Sequence, residues 1–475
     1  MIEIALTLLV AQSVLGAFDT IYHHEIKVGL ARSANAAPEL RVHAIRSVLY
    51  ALVFLGLAWR VFSGWWVVAL VAVVLTEVVL TLWDFAIEDE TRLLPRSERI
   101  LHTLLAINGG AAFLLVALEL PAWFAQPTAL EPAAYGWKSI ALTIAAAGVA
   151  LSGVRDAFAA WNVNRLALDL DLDFGAPHLR FLVTGGTGFL GGSLCRELVR
   201  AGHEVTIVSR RPAAAAMQFG GAVRAVNSTA ELSDHEIFDA IVNLAGAPVI
   251  GMPWSAKRRR EILESRLGAT ADLLGFARRA VVRPRVWLQS SAVGYYGPTS
   301  SQVLDESAGA GAGFAARMCR QWEAAAEPVA VLGVRCVVLR MGLVFGRGGG
   351  ALPALLTAFR VGAGAVLGSG TQRVAWIHVE DWLRLVARTV SDAKLAGAIN
   401  AVAPAAPAYR DFARAMARAV QRPLWLRIPG RVLSCVVGEM ATLFVEGPPV
   451  AALRLGEIGF DYRFPDIESA LMDLS

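Results

Sequence analysis

The chain has 475 residues, 56% of them hydrophobic, and a formal net charge of +4. That length is too great for one ordinary domain, and so high an apolar share is unusual for a soluble protein. The small charge excess gives no ground for a nucleic-acid partner, and Cys195, Cys319, Cys336 and Cys435 are too far apart for a metal site, fitting free thiols in a reducing compartment.

The apolar excess lies in the first 155 residues. The opening MIEIALTLLV has no basic segment and no cleavage site, so it reads as a retained helix rather than a signal peptide. A span needs about 20 mostly apolar residues, and the sequence predicts an α-helical transmembrane bundle of five: Ile4–Tyr22, Val42–Phe62, Trp65–Phe85, Leu101–Leu120 and Tyr135–Val154. Trp65, Trp66, Trp123 and Trp137 stand at their ends, where amphipathic rings prefer the interface. Lys27, Arg32, Arg41, Arg46, Arg92, Arg96 and Arg99 belong to the 1–2 and 3–4 connections, against Arg60 and Lys138 in the other two. The positive-inside rule then places the N-terminus outside and the chain after Arg155 in the cytoplasm, as for an integral protein of a bacterial inner membrane.

The polar residues of these helices gather at one end. Asp19, His23, His24 and Glu25 close the first helix and His43 opens the second. Glu77, Asp84, Glu88 and Asp89 lie on the third, and Glu98 and His102 open the fourth. Asp19/His23, Asp84/Glu88 and Glu98/His102 are four apart, each pair on one helix face. Converging carboxylates and imidazoles suit Fe, Mn or Zn, and Asp19, His23, His43, Asp84, Glu88 and His102 are the expected ligands. The alternative is an interfacial rim in which the acids and histidines cap helices and pair with the nearby arginines.

A linker, residues 158–178, carries Asp169, Asp171 and Asp173. Then comes HLRFLVTGGTGFLGGSLCRELVRAGHEVTIVSRRP. Leu179–Thr184 reads as a buried strand, Gly185, Gly188 and Gly191 as a GxxGxxG turn, and a helix follows to Arg200. Such glycines give the tight turn, the approach of a pyrophosphate and close helix–strand packing, with phosphates on the helix N-terminus. Thr184, Gly185, Gly186, Thr187, Gly188, Phe189, Leu190 and Gly191 are therefore expected at the cofactor. The next strand, Glu204–Val208, ends in Ser209, Arg210 and Arg211 rather than in an acid. Guanidinium groups there favour a 2′-phosphate, hence NADP(H) over NAD(H).

Beyond this point TGGTGFLG, VNLAGAPV, SSAVGYYG, LRMGLVFGRGGG, GSGTQRVAWIHVEDW and IGFDYRFPD accumulate. As a set they resemble the epimerase-like family of atypical and extended short-chain dehydrogenase/reductases. The resemblance runs from about Leu179 to Leu474. It implies a Rossmann-type doubly wound parallel sheet over 179–405 and a small C-terminal lobe over 406–475, following a membrane domain over 1–157. It also implies that Asn243, Ala245 and Gly246 end the fourth strand beside the cofactor. Ser290 and Ser291 would end the fifth, with the Ser291 hydroxyl on the substrate. Arg340 and Gly346 would border the substrate, and His378 and Asp381 would shape the junction of the lobes. Catalysing relatives use a YxxxK pair. In GFAARMCRQWEAAA, Phe314 and Met318 stand where the resemblance places it, and neither transfers a proton. Tyr295 and Tyr296 are the nearest substitutes in sequence.

These residues imply an NADP(H)-binding epimerase or oxidoreductase at the membrane, acting on a polar or lipid-linked carbonyl or sugar-type substrate through Ser291 and Tyr295 or Tyr296. One alternative is a non-catalytic NADP(H)-binding sensor or assembly factor. Another is an NADPH-linked partner of an intramembrane metal or quinone site.

Overall fold

The computed structural model describes residues 1–28, 36–91, 94, 96–163, 170–298 and 302–474. Arg32, Arg92 and Asp169 lie outside them. The chain divides into two compact units, Met1–Ala167 and Leu168–Ser475.

The first unit is helical. Helix α1 (Ile2–Phe18) continues as a π-helical segment, Asp19–Val28; α2 is Ala37–Trp59, α3 Trp66–Thr91, α4 Arg96–Phe124 and α5 Trp137–Val163. All five are long and apolar enough to cross a membrane. Leu6, Leu9, Phe54, Leu57, Val116 and Leu142 pack between them. Helices α2 and α5 meet through small residues: a Cβ on Gly153 would press on Ser47 Cβ and the Ala44 carbonyl, the contact that lets two backbones approach. Outward faces are apolar, with Leu75, Val79, Leu82, Ile107, Leu114, Ile144 and Leu151 exposed, whereas Glu39, Glu77, Asp84, Glu88 and Glu98 are buried. This inverts the order of a water-soluble bundle. A short antiparallel ribbon, Arg60–Ser63 on Ala129–Pro132, ties the 2–3 and 4–5 connections. No sequence pattern announced it.

The second unit is built on seven parallel strands: β1 Arg180–Thr184, β2 Glu204–Val208, β3 Arg224–Val226, β4 Ala240–Asn243, β5 Val286–Ala292, β6 Arg335–Met341 and β7 Gly397–Ala401. Their order is β7-β6-β5-β4-β1-β2-β3. The order reverses between β1 and β4, the switch point at which such sheets open a crevice. Alternate side chains feed two cores, as strand geometry requires. Phe181 and Val183 go to one face with Trp382, and Leu182 goes to the other with Phe276 and Trp287. Helices α6 (Phe189–Arg200), α7 (Ala256–Arg279) and α8 (Gly313–Ala326) follow β1, β4 and β5.

Two boundaries differ from the sequence reading. Helix α5 runs on to Val163, into the expected linker. Leu170 and Phe174, at the linker's other end, are buried in the sheet's core. The smaller lobe is also not one contiguous C-terminal piece. Its core joins Phe345, Leu352, Phe359 and Trp376 to Tyr409, Phe412, Phe464 and Leu471.

Candidate functional site

The glycine-rich turn lies at the carboxyl end of β1. Gly185 has φ +71°, and a Cβ there would stand 2.7 Å from the Leu244 carbonyl oxygen. A Cβ on Gly191 would run into the Gly185 carbonyl oxygen. Only bare backbone allows α6 to begin this close to the strand, with its first amides free to meet an anion. Gly186 lies against Ile207 of β2. Gly188 is the residue before α6 and Thr187 is exposed on the turn. Phe189 packs under the second glycine-rich loop, where Gly346, Gly349 and Gly350 leave room for its ring, and Leu190 packs on the core.

Hydrogen bonds join the neighbouring strand ends. The Thr184 hydroxyl donates to Asn243 Oδ1 at 2.7 Å and accepts from the Ala245 amide at 3.3 Å. The Asn243 amide donates to Thr270 at 2.8 Å and to Gln289 at 3.0 Å. Gly246 faces the Arg266 guanidinium, which leaves no room for a Cβ. Beyond β2, Ser209 Oγ accepts from the Arg211 amide at 3.3 Å. Arg210 and Arg211 are exposed, and among the described residues neither enters an ion pair.

A second, buried network stands at the ends of β5 and β6. Ser291 is fully buried and donates to Glu323 Oε1 at 2.5 Å. Arg340 donates to the same carboxylate through Nε at 3.1 Å and Nη2 at 2.9 Å. Its Nη1 donates to the Tyr296 hydroxyl at 3.1 Å, which itself donates to Asn400 Oδ1 at 2.7 Å. The guanidinium lies 3.6 Å from the centre of the Tyr295 ring. Burial works against the charge of Arg340, but Glu323 and Tyr296 outweigh it and hold its pKa above the ordinary arginine value. Burial also raises the Tyr296 phenol and pushes the Cys319 thiol up to about 11.

This geometry redistributes the expected roles. Ser290 is buried in β5 beside Ser291. Tyr296 is only 4% exposed and committed at its oxygen, whereas Tyr295 is half-buried. Arg340 is turned inward, and Gly346 is closed off by Phe189 and Val379 rather than opening on a substrate. Phe314 and Met318 sit in an apolar cluster with Trp254, Ile262 and Met440. The face of α8 nearest the serine is one residue later, Cys319 and Glu323. No tyrosine or lysine occurs anywhere in this helix. Glu323 is the residue to which sequence reasoning attached no chemistry, since only the fold brings it to Ser291. His378 caps the helix Val379–Ser391 by accepting from the Glu380 amide at 3.2 Å. Asp381 accepts from the Arg463 and Phe464 amides at 2.8 and 3.0 Å, which pins the C-terminal segment to the sheet domain.

In the helical unit the polar residues do meet. Asp19 reaches His23 at 2.8 Å, His102 at 3.0 Å and His24 at 3.6 Å. His24 lies 3.6 Å from Glu98, and His102 lies 3.2 Å from Glu88. The donor groups differ from the expected ligand set. They are Asp19, His24, Glu98 and His102, and His24, Glu39, His43 and Glu88. His23 turns its other nitrogen to Ser97 at 3.1 Å, and Asp84 pairs with Arg46 at 2.5 Å and His43 at 3.1 Å.

A parallel doubly wound sheet with a glycine-rich turn at its switch point defines a dinucleotide-binding protein of the extended short-chain dehydrogenase/reductase kind. Residues 181–401 match the NAD dependent epimerase/dehydratase family, and 428–474 match a domain of unknown function, DUF1731. The chain is 36% identical over 301 residues to the epimerase family protein SDR39U1 of Bos taurus, covering 62% of this chain and 99% of that one. It is 33% identical to the epimerase family protein YfhF of Bacillus subtilis, covering 62% and 98%. The crystal structure of human epimerase family protein SDR39U1 with NADPH superposes with a TM-score of 0.57 at 33% identity, over 62% of this chain and 99% of that one. The chain therefore belongs to the NAD dependent epimerase/dehydratase family.

Proposed function

We propose that this is a membrane-anchored, NADP(H)-dependent epimerase or oxidoreductase acting on a polar or lipid-linked carbonyl or sugar-type substrate. The observation that carries the cofactor choice is the end of β2. Two exposed guanidinium groups, Arg210 and Arg211, stand beside the glycine-rich turn where an NAD-binding site would place a carboxylate. NADPH in the human relative supports the same choice. The fit rests on this chain's own geometry. The bare backbone at Gly185 and Gly191 leaves a cradle for a pyrophosphate, and Ser209, Arg210 and Arg211 would hold the 2′-phosphate. When bound, the nicotinamide supplies or accepts a hydride.

The chain's own contribution is positioning and proton transfer. Glu323 accepts the Ser291 hydrogen bond and so fixes the direction in which the hydroxyl would meet a substrate. Arg340 fixes Glu323 by two parallel hydrogen bonds and rests on the Tyr295 ring. Tyr295, half-buried against the Arg340 guanidinium, is the proposed proton donor and acceptor in place of the YxxxK pair. The five apolar helices anchor the chain, N-terminus outside and nucleotide-binding unit in the cytoplasm of a bacterial cell. The experiment is turnover by the detergent-solubilised protein with NADPH or NADP⁺ and a panel of carbonyl and nucleotide-sugar substrates. Ser291→Ala is expected to cost about tenfold or more and Tyr295→Phe ~10²-fold. Unchanged rates in both variants would remove this site.

One observation favours a second reading. The absence of tyrosine and lysine from α8, with Tyr296 locked between Arg340 and Asn400, suits a nucleotide sensor. Tight NADPH binding without turnover of any substrate in the panel would decide for it.

A further inference from the structure

The donors at the π-helical end of the bundle come from four helices that are remote in sequence. Helices α2 and α4 each carry Glu and His four apart near their starts, Glu39/His43 and Glu98/His102. That spacing puts both side chains on one face. Helix α3 adds Glu88 near its end. The π-helical segment adds Asp19 and His24 together. In an α-helix, residues five apart point about 140° away from each other, whereas i→i+5 hydrogen bonding overlays them. Such π segments concentrate at functional sites, and this one aims a carboxylate and an imidazole at the same point.

The donors are also buried and close together. Glu39, Glu88 and Glu98 have no exposed surface, Asp19 is 6% and His24 7% exposed. Ionisable residues at buried positions of apolar helices commonly mark functional sites. In the group of Asp19, His24, Glu98 and His102 the nitrogen–oxygen separations are 3.0 Å for His102 to Asp19 and 3.6 Å for His24 to Asp19 and to Glu98. Neighbouring ligands on one ion at roughly 2.0–2.1 Å stand about 3.0–3.4 Å apart, from octahedral to tetrahedral. The separations in this group come within a few tenths of an ångström of such edges, close enough for its atoms to turn onto one ion. In each group the ligand atoms lie within 4.8 Å of one another.

We propose that Asp19, His24, Glu39, His43, Glu88, Glu98 and His102 form a transition-metal centre of two adjacent sites that share His24. Four carboxylates and three imidazoles with no thiolate make a donor set for Fe(II) or Mn(II), and for Zn(II). Because a histidine nitrogen commits to one ion, the two sites fill together only when His24 gives each a different ring nitrogen, and otherwise one ion is held. Arg46, held by Asp84 and Glu77, and His23, held by Asp19 and Ser97, stand around the donors and fix their orientation.

The test uses the full-length protein in detergent, purified without chelator. Each of Fe(II), Mn(II) and Zn(II) is supplied alone, excess ion is removed, and bound metal is measured by elemental analysis. The expected content is about one to two ions per chain of at least one metal. Affinity should fall ~10–100-fold or more in His24→Ala and in the nearly isosteric Glu98→Gln. NADPH binding, read on the same samples, should persist in both variants and report an intact second unit. Helical circular dichroism and a monodisperse elution report the first. If His24→Ala fails these controls, Glu98→Gln carries the test alone. The visible spectrum of Co(II)-loaded wild-type protein, lost in that variant, supplies an independent readout. Wild-type protein that retains none of the three ions would overturn the proposal. So would Glu98→Gln protein that is folded and retains as much metal as wild type.

Discussion

Glu323 joins Ser291 to Arg340 in a site from which water is nearly excluded. The side chains of Arg340 and Glu323 are 6% and 13% exposed. Neutralising the carboxylate leaves a buried guanidinium without its counter-ion, an uncompensated charge that typically costs about 3–5 kcal/mol. Glu323→Gln should therefore lower the unfolding temperature of the second unit measurably, whereas Arg210→Ala, on the surface, should not. A thermal scan of both variants checks this. The thiols give a second expectation. Cys195 and Cys319 are buried, and burial pushes their pKa values up to about 12 and 11. Cys336, partly buried, is raised to about 12, while Cys435 is exposed. Because the thiolate is the nucleophile, alkylation at neutral pH should label Cys435 alone in the folded protein and all four after denaturation. Labelling of Cys319 in the folded state would contradict the packing of α8 against β5. Sequence reasoning placed Ser291 at the end of its strand but attached no chemistry to Glu323, because the bond spans 32 residues and no local pattern records it.

At the scale of elements, legibility followed how local the determining physics is. The turn after β1 was readable because three glycines, a strand and a helix lie within a few residues, and each glycine answers a steric need. Gly191→Val should abolish nucleotide binding while the sheet remains, since the new Cβ would collide with the Gly185 carbonyl oxygen and push α6 off the strand. Titration of the variant with NADPH, beside its circular dichroism, checks this. Wild-type affinity would mean that the turn does not hold the phosphates. The stretch that forms helix α8 was placed by the resemblance alone, and the side it turns to Ser291 was not legible. Phe314 and Met318 were expected there, and the face belongs to Cys319 and Glu323, because the preceding loop sets the helix rotation. The π-helical turn was likewise hidden. An α-helical spacing selects Asp19 and His23, whereas the wider turn brings His24 to the donors. Glu98, though paired by spacing with His102, and Glu39 were not among the expected ligands, because an acid near a helix start reads first as a partner for the helix dipole.

At the scale of the whole molecule, two units with opposite surface logic share one chain. The first exposes Leu75, Val79, Ile107, Leu114, Ile144 and Leu151 and buries acids; the second buries its apolar residues about a parallel sheet. An odd number of crossings puts the two termini on opposite sides. Reporters fused before Met1 and after Ser475 should therefore respond from outside and from the cytoplasm. Both reporting from one side would rule out five crossings. The second unit is proposed to hold NADP(H), selected by the guanidinium groups after β2. Calorimetric titration of the full-length protein with NADPH and with NADH tests it most directly. NADPH is expected to bind roughly tenfold or more tightly than NADH, with the margin lost in the Arg210→Ala, Arg211→Ala double variant. Equal affinities of the wild-type protein for the two cofactors would contradict it.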